Sequence, residues 1–241
     1  MPFGRLDGRR AFVSGGARGI GAAIVRSFAA AGARVVIADL DVAAASELAR
    51  ETGAGVAGLD VSDTTAVHAM MTQDGPFHIV VNNAVFQAPT DDLTDISDEQ
   101  WRRTFAVNID SYFQVTKAAL AHLPDGAAII NTASVAAFDG QIGQAAYSAS
   151  KGGVYAMTLP IARDLSRELI RVCTIAPGIF WTPMVDGMPE SVQQSLSASI
   201  PFPSRLGQPA EFAGLALFLI ETTYMNAGLV RLDGAIRMAP R

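Results

Sequence analysis

The chain of 241 residues has one cysteine, Cys173, and only two lysines, Lys117 and Lys151, among its 18 basic residues. A lone cysteine excludes an internal disulfide framework, so the default is a reducing compartment and a cytoplasmic location is expected. Its flanks, IRVCTIAP, read as a buried strand, which assigns the thiol to packing. Charge is scarce too, at 17% of residues with a net −5, and this argues against a general nucleic-acid binder. The longest apolar run, Phe212 to Ile220, is far shorter than the ~20 residues of a membrane span. No apolar leader precedes the first strand pattern, so neither export nor insertion into a membrane is expected.

Half of the residues are apolar, enough for a large core in one α/β domain covering residues 1–241. Strand-length apolar runs alternate with stretches of helical period. RAFVSG precedes a helix at 20–31, ARVVIAD one at 43–51, GVAGLD one at 64–71, and FHIVVNNA a long one at 98–122. AAIINTAS, a helix at 145–169, IRVCTIAPG, a helix at 209–220 and LVRLDG complete the series. The pattern predicts a Rossmann-like, doubly wound parallel sheet of about seven strands with helices on both faces. The proline- and serine-rich segment 177–208 is the one long irregular piece, read as a substrate lid.

After the first strand comes SGGARGIG, with Gly15, Gly19 and Gly21 between strand and helix. Glycine there permits a tight turn and close approach of a pyrophosphate, while the helix N-terminus supplies amide donors and positive dipole. The GxxxGxG spacing differs from GxGxxG, and its placement carries the inference. Asp39 ends the second strand, where a carboxylate accepts from the adenosine ribose and repels a 2′-phosphate, favouring NAD over NADP. Arg18 points the other way, because a guanidinium in this loop can bind that phosphate. Asp39 weighs more, since it sits beside the hydroxyl in question. Asp60, after the third strand, reads either as an acceptor for the adenine amino group or as the cap of the helix following SDTTAV.

Tyr147 and Lys151 stand four apart on a predicted helix and share one face. A phenol titrates near pH 10, and a nearby ammonium favours its phenolate, which makes a usable proton donor and acceptor. Lysine also provides a compact donor for a ribose hydroxyl, which arginine does not. Ser134 follows AAIINTAS at the C-terminal end of a parallel strand, facing the crevice where such sheets bind ligands, and reads either as a group that polarises a carbonyl or as a turn cap. Asn108 lies within a predicted helix, where asparagine is mildly unfavourable, and reads either as the holder of a water near Lys151 or as packing.

The glycine turn, Asp60, the NNA at 82–84, Asn108, Ser134, Tyr147, Lys151 and the PG at 177–178 together resemble the short-chain dehydrogenase/reductase family over nearly the whole chain. That resemblance implies a catalytic tetrad of Asn108, Ser134, Tyr147 and Lys151, with no metal. It also implies contact of Thr182 with the nicotinamide carboxamide and an NNA motif supporting the central strand. Ile20, Val61, Asn82, Ala84, Pro177 and Gly178 complete the expected cofactor-binding set with Gly15, Arg18, Gly19, Gly21, Asp39, Asp60, Tyr147, Lys151 and Thr182. A homotetramer is implied as well.

Longer strings, INTASVAAFDGQIGQAAYSASKGG and PFPSRLGQPAEFA among them, resemble members that act on 3-hydroxyacyl-CoA thioesters. The expected activity is NAD-dependent interconversion of such a thioester, or a similar apolar hydroxy compound, with its ketone. A broad ketone or hydroxysteroid reductase is the alternative, favoured if Phe86, Phe180, Trp181 and Met184 line an apolar pocket. A dinucleotide-binding scaffold without catalysis is a reading of a different class. Val85 stands where the family usually has glycine, Trp181 where it has a small residue, and the stretch from Met71 to Phe77 is shorter than the family norm. The first two put bulk beside the expected pocket.

Overall fold

A computed structural model describes residues 4–240 of the chain. The strands are β1 Arg10–Ser14, β2 Arg34–Asp39, β3 Gly55–Gly58, β4 Ile79–Asn82, β5 Ala128–Thr132, β6 Arg171–Pro177 and β7 Leu229–Leu232. The helices are α1 Gly19–Ala30, α2 Val42–Thr52, α3 Thr64–Asp74, α4 Asp98–Phe105, α5 Ser111–Leu120, α6 Ala145–Asp164, α7 Pro183–Asp186, α8 Glu190–Ala198 and α9 Pro209–Glu221.

The strands form one sheet in the order β3-β2-β1-β4-β5-β6-β7, and every neighbouring pair is parallel. The chain winds outward from β1 to β3, then returns to the other side of β1 at β4. That reversal opens a crevice beyond the strand ends of β1 and β4, where doubly wound sheets bind ligands.

Each central strand sends alternate residues to opposite cores, as the two-residue period of a strand requires. Ala11, Val13, Ile79, Val81, Ala128, Ile130, Cys173 and Ile175 pack with Phe28 of α1 and with Phe212, Ala216 and Leu219 of α9. Phe12, Val80, Ile129 and Val172 turn the other way, to Val67 and Met71 of α3, Val115 and Ala119 of α5, and Ala162 of α6. Two apolar faces explain why these strands read as continuous hydrophobic runs. Cys173 is among the packed residues, and burial pushes its thiol up.

Three elements differ from the sequence reading. The helix expected over 98–122 is interrupted by a π-helical turn at Ala106–Asp110. There Asn108 accepts from the Phe86 amide at 2.7 Å and donates to the Phe86 carbonyl at 2.8 Å, a tertiary bond that helix propensity does not encode. The helix expected to reach 169 ends at Asp164 and tightens into a 3₁₀ turn, Leu165–Glu168, after which Leu169 takes a left-handed φ of 56°. Segment 177–208 is not wholly irregular, because it contains α7 and α8.

Candidate functional site

A large cavity of about 740 Å³ lies over the C-terminal ends of the central strands. Its lower wall is the glycine turn. Gly15 has φ +61°, and a Cβ there would stand 2.7 Å from the Ala84 Cα, while a Cβ on Gly21 would run into the Gly15 carbonyl. The backbone can therefore pack this closely only with glycine at both positions. α1 begins here without a side-chain cap and without an acidic residue in its first turn. Its first residues, Gly19, Ile20 and Gly21, line the cavity, so uncapped amides and the positive end of the helix border it.

Asp39 lines the cavity at the end of β2, its carboxylate accepting from the Ala17 and Asp41 amides, both at 3.0 Å. The Arg18 guanidinium, also at the cavity, pairs with Asp41 at 2.6 Å. Asp60 and Val61 line the far end. The Asp60 carboxylate accepts from the Ser62 amide and hydroxyl, whereas α3 is capped by Asp63, which takes the Thr65 and Ala66 amides. Of the two readings of Asp60, the helix cap is thus filled by another residue.

The strand end at NNA works differently from the expectation. Asn82 is fully buried and does not line the cavity; its amide donates to Asn131 at 2.9 Å and Thr116 at 3.3 Å. Alternation along β4 turns residue 82 to the face covered by α5, and Asn83 and Ala84 reach the cavity instead. Asn83 donates to the Ser14 and Gly15 carbonyls, and the Ser14 hydroxyl accepts the Asn83 and Ala84 amides. These bonds lock the glycine turn onto β4. Sequence reasoning missed Ser14 and Asn83. The only available signal was the strand phase of the second asparagine.

Ser134, Tyr147 and Lys151 converge on the cavity wall. Ser134 follows β5 and starts a 3₁₀ turn, its hydroxyl accepting the Ala136 amide at 3.1 Å, so the cap and a place at the cavity coexist. Burial pushes the Tyr147 phenol up, and the neighbouring Ser134 hydroxyl offsets part of that rise. Lys151 is fully buried and burial pushes its ammonium down to about 7. It donates to the Thr132 carbonyl at 2.8 Å and the Tyr112 hydroxyl at 3.2 Å, and its Nζ lies 6.0 Å from the centre of the Tyr147 ring. Asn108 is buried and outside the cavity lining, its amide spent on Phe86 and on the Ser150 hydroxyl at 3.2 Å. No direct hydrogen bond joins it to Lys151. The side chain that meets Lys151 directly is Tyr112, which the sequence reading passed over.

On the β6 side, Pro177, Gly178 and Thr182 line the cavity. Above them Phe180, Val185, Met188, Leu196 and Met238 form an apolar wall, with Gln87, Gln141 and Gln144 opposite. Val85 lines the cavity and is 52% exposed. Neither Trp181, at 39% exposure, nor Phe86 lines it, and the Met184 side chain lies outside the described residues. Bulk is thus added at one of the two substituted motif positions.

The glycine cradle, the uncapped helix end and Asp39 fit a dinucleotide, and the cavity is large enough for one together with a small substrate. A family model described as Enoyl-(Acyl carrier protein) reductase matches residues 15–234. The chain belongs to the short-chain dehydrogenase/reductase family and is an oxidoreductase of that family. Among its relatives, the 3-hydroxyacyl-CoA dehydrogenase type-2 of Drosophila melanogaster is 42% identical over 247 residues, 95% of this chain and 97% of that protein. The human protein of that name is 42% identical over 254 residues, covering 98% of this chain and 97% of its own length. A solved 3-hydroxyacyl-CoA dehydrogenase type-2 from Mycobacterium avium superposes with a TM-score of 0.90 at 37% identity, covering 96% and 97% of the two chains. BdcA, solved in complex with NADPH, gives 0.89 at 30% identity, covering 96% and 95%. No helix among the described residues is long and apolar enough to cross a membrane.

Proposed function

We propose that the protein is an NAD-dependent secondary-alcohol dehydrogenase that interconverts a 3-hydroxyacyl-CoA, or a similar apolar hydroxy compound, with its ketone. The observation that carries this reading is the convergence of Ser134, Tyr147 and Lys151 on one cavity that the glycine cradle also lines. The kinship with 3-hydroxyacyl-CoA dehydrogenases supports the substrate class.

A nicotinamide dinucleotide, when bound, supplies the hydride acceptor for alcohol oxidation and the hydride donor for ketone reduction. Gly15, Gly19, Ile20 and Gly21 hold its pyrophosphate with backbone amides, and Asp39 its adenosine ribose. Asp60 and Val61 would hold the adenine, while Ala84, Pro177, Gly178 and Thr182 would enclose the nicotinamide. Tyr147 exchanges the proton of the substrate hydroxyl, and Ser134 donates to the same oxygen as charge develops on it. Lys151 holds the ribose beside the nicotinamide and, while charged, favours the Tyr147 phenolate. Asn108 acts from outside the cavity by fixing the Phe86 backbone and Ser150. NAD would be favoured over NADP because Asp39, at the cavity wall, would meet the ribose 2′ hydroxyl and Asp41 holds the Arg18 guanidinium that could serve a phosphate. Segment 177–208 covers the substrate.

A broad ketone or hydroxysteroid reductase is the second reading, favoured by the apolar upper wall of Val185, Met188, Leu196 and Met238. We further propose a cytoplasmic homotetramer. β7 leaves one edge of the sheet free, and Phe113, Tyr155 and Leu159 expose apolar surface on α5 and α6. NADH absorbance with acetoacetyl-CoA, a steroid ketone and simple aryl ketones is the test. Preference for the thioester supports the first reading, preference for the ketones the second, and inertness toward all of them a non-catalytic scaffold. Light scattering checks the assembly.

A further inference from the structure

The chemistry above uses Lys151 at the cavity, yet two of the three protons of its ammonium point elsewhere. They go to the Thr132 carbonyl and to the hydroxyl of Tyr112, a residue of α5 that is only 1% exposed and does not itself line the cavity. The Tyr112 hydroxyl in turn donates to the Ala84 carbonyl at 3.1 Å, with the Thr132 carbonyl at 3.3 Å. Ala84 is itself a cavity-wall residue. A buried hydroxyl with this many partners is not filling space.

We propose that Tyr112 is a positioning residue for the reaction proposed above: its hydroxyl, with the Thr132 carbonyl, holds the Lys151 ammonium so that the remaining N–H faces the cavity, and ties that ammonium to the Ala84 wall.

The chemistry suits the task. The groups facing Lys151 are Tyr147 on its own helix, Tyr112 on α5 and the Thr132 carbonyl of β5. None of them is a carboxylate, and burial is the one cause of the shift in the lysine. Burial pushes the Tyr112 phenol well up, so it stays neutral and offers a lone pair to the ammonium in every state of the reaction. A carboxylate there would fix the lysine as a permanent ion pair. A neutral hydroxyl steadies the charged form without locking it.

The composition of the chain makes the test direct, because only Lys117 and Lys151 give signals when lysine is labelled with ¹³C at Cε. Tyr112→Phe keeps the ring and removes only the hydroxyl. The Lys151 titration midpoint should fall by about one pH unit, the worth of one hydrogen bond to a buried charge, while Lys117 stays in place. Turnover should fall about tenfold with the KM for NAD within about twofold. A folded variant in which Lys151 titrates as in wild type, or in which both lysines move together, overturns the proposal. Should the variant fail to fold, the wild-type protein answers. A Lys151 ammonium held by two internal acceptors gives a ¹⁵Nζ–H signal at pH 6, and rapid exchange with water there overturns the proposal. Inertness of the wild type toward every hydroxy and keto compound would defeat the proposed function and leave the titration result standing by itself.

Discussion

The Arg18 guanidinium is bound to Asp41 and not to Asp39, with Nη2 at 2.6 Å and Nε at 3.1 Å from the same carboxylate oxygen. Asp41 also caps α2, accepting the Ala44 amide. Replacing it with asparagine keeps a capping oxygen and discards the charge that holds Arg18. In Asp41→Asn the ratio of kcat/KM for NADP to that for NAD should rise about tenfold, or ~1.4 kcal/mol, relative to wild type. An unchanged ratio would mean that Arg18 has no part in cofactor choice.

Tyr147→Phe should lower kcat at least ~10³-fold with cofactor affinity little changed, because it removes the exchanged proton and preserves the ring. Steady-state kinetics with cofactor binding followed by fluorescence separates the two effects.

Lys151 titrates near 7 in the folded chain, below the ~10.4 of an exposed lysine. Between those values the unfolded state binds more protons, so stability rises with pH above 7; below 7 both states carry the proton and the slope from this residue vanishes. Urea unfolding at pH 7 and pH 9 should show wild type gaining about 2 kcal/mol more than Lys151→Met over that interval. Equal gains in the two proteins would show that the ammonium is solvated in the native state.

Trp181→Gly should leave the ranking of bulky and compact substrates unchanged, since the indole does not line the cavity. Val85→Gly and Met188→Ala, both at the wall, should each shift that ranking by roughly tenfold, an effect of about 1–3 kcal/mol. Paired kcat/KM values for one large and one small ketone decide the matter.

Arg171→Ala should destabilise the fold by about 2–4 kcal/mol. The guanidinium donates to the Leu219, Ile220, Thr222 and Met225 carbonyls, closing the C-terminal end of α9 against β6. Arg171→Lys should recover only part of the loss, since an ammonium cannot span all four acceptors. Denaturant midpoints of the three proteins provide the check.

The sheet and most of the site were legible in the sequence because they rest on short-range chemistry. Gly15 and Gly21 are demanded by a turn, Asp39 by the end of a strand, and Tyr147 and Lys151 by one helical turn between them. What escaped depends on how distant segments meet. The phase of β4 at its last residue decides that Asn83 rather than Asn82 reaches the cavity. The outward turn of Trp181 and the pairing of Arg18 with Asp41 are choices among side-chain directions that local pattern does not constrain. Tyr112 carries no local signal, since its partners Ala84, Thr132 and Lys151 come from three other segments of the chain.

The π turn at Ala106–Asp110 is also a phase-setting device. It lets the Asn108 amide meet the Phe86 backbone while Tyr112, one turn on, reaches Lys151. Its extra residue is rarely kept except where a particular orientation requires it. Each residue turns a helix by about 100°, so removing one from this segment would relax it to regular α-helix and swing all of α5 by that angle against α4. The segment should therefore tolerate many substitutions at its exposed positions and almost no change of length.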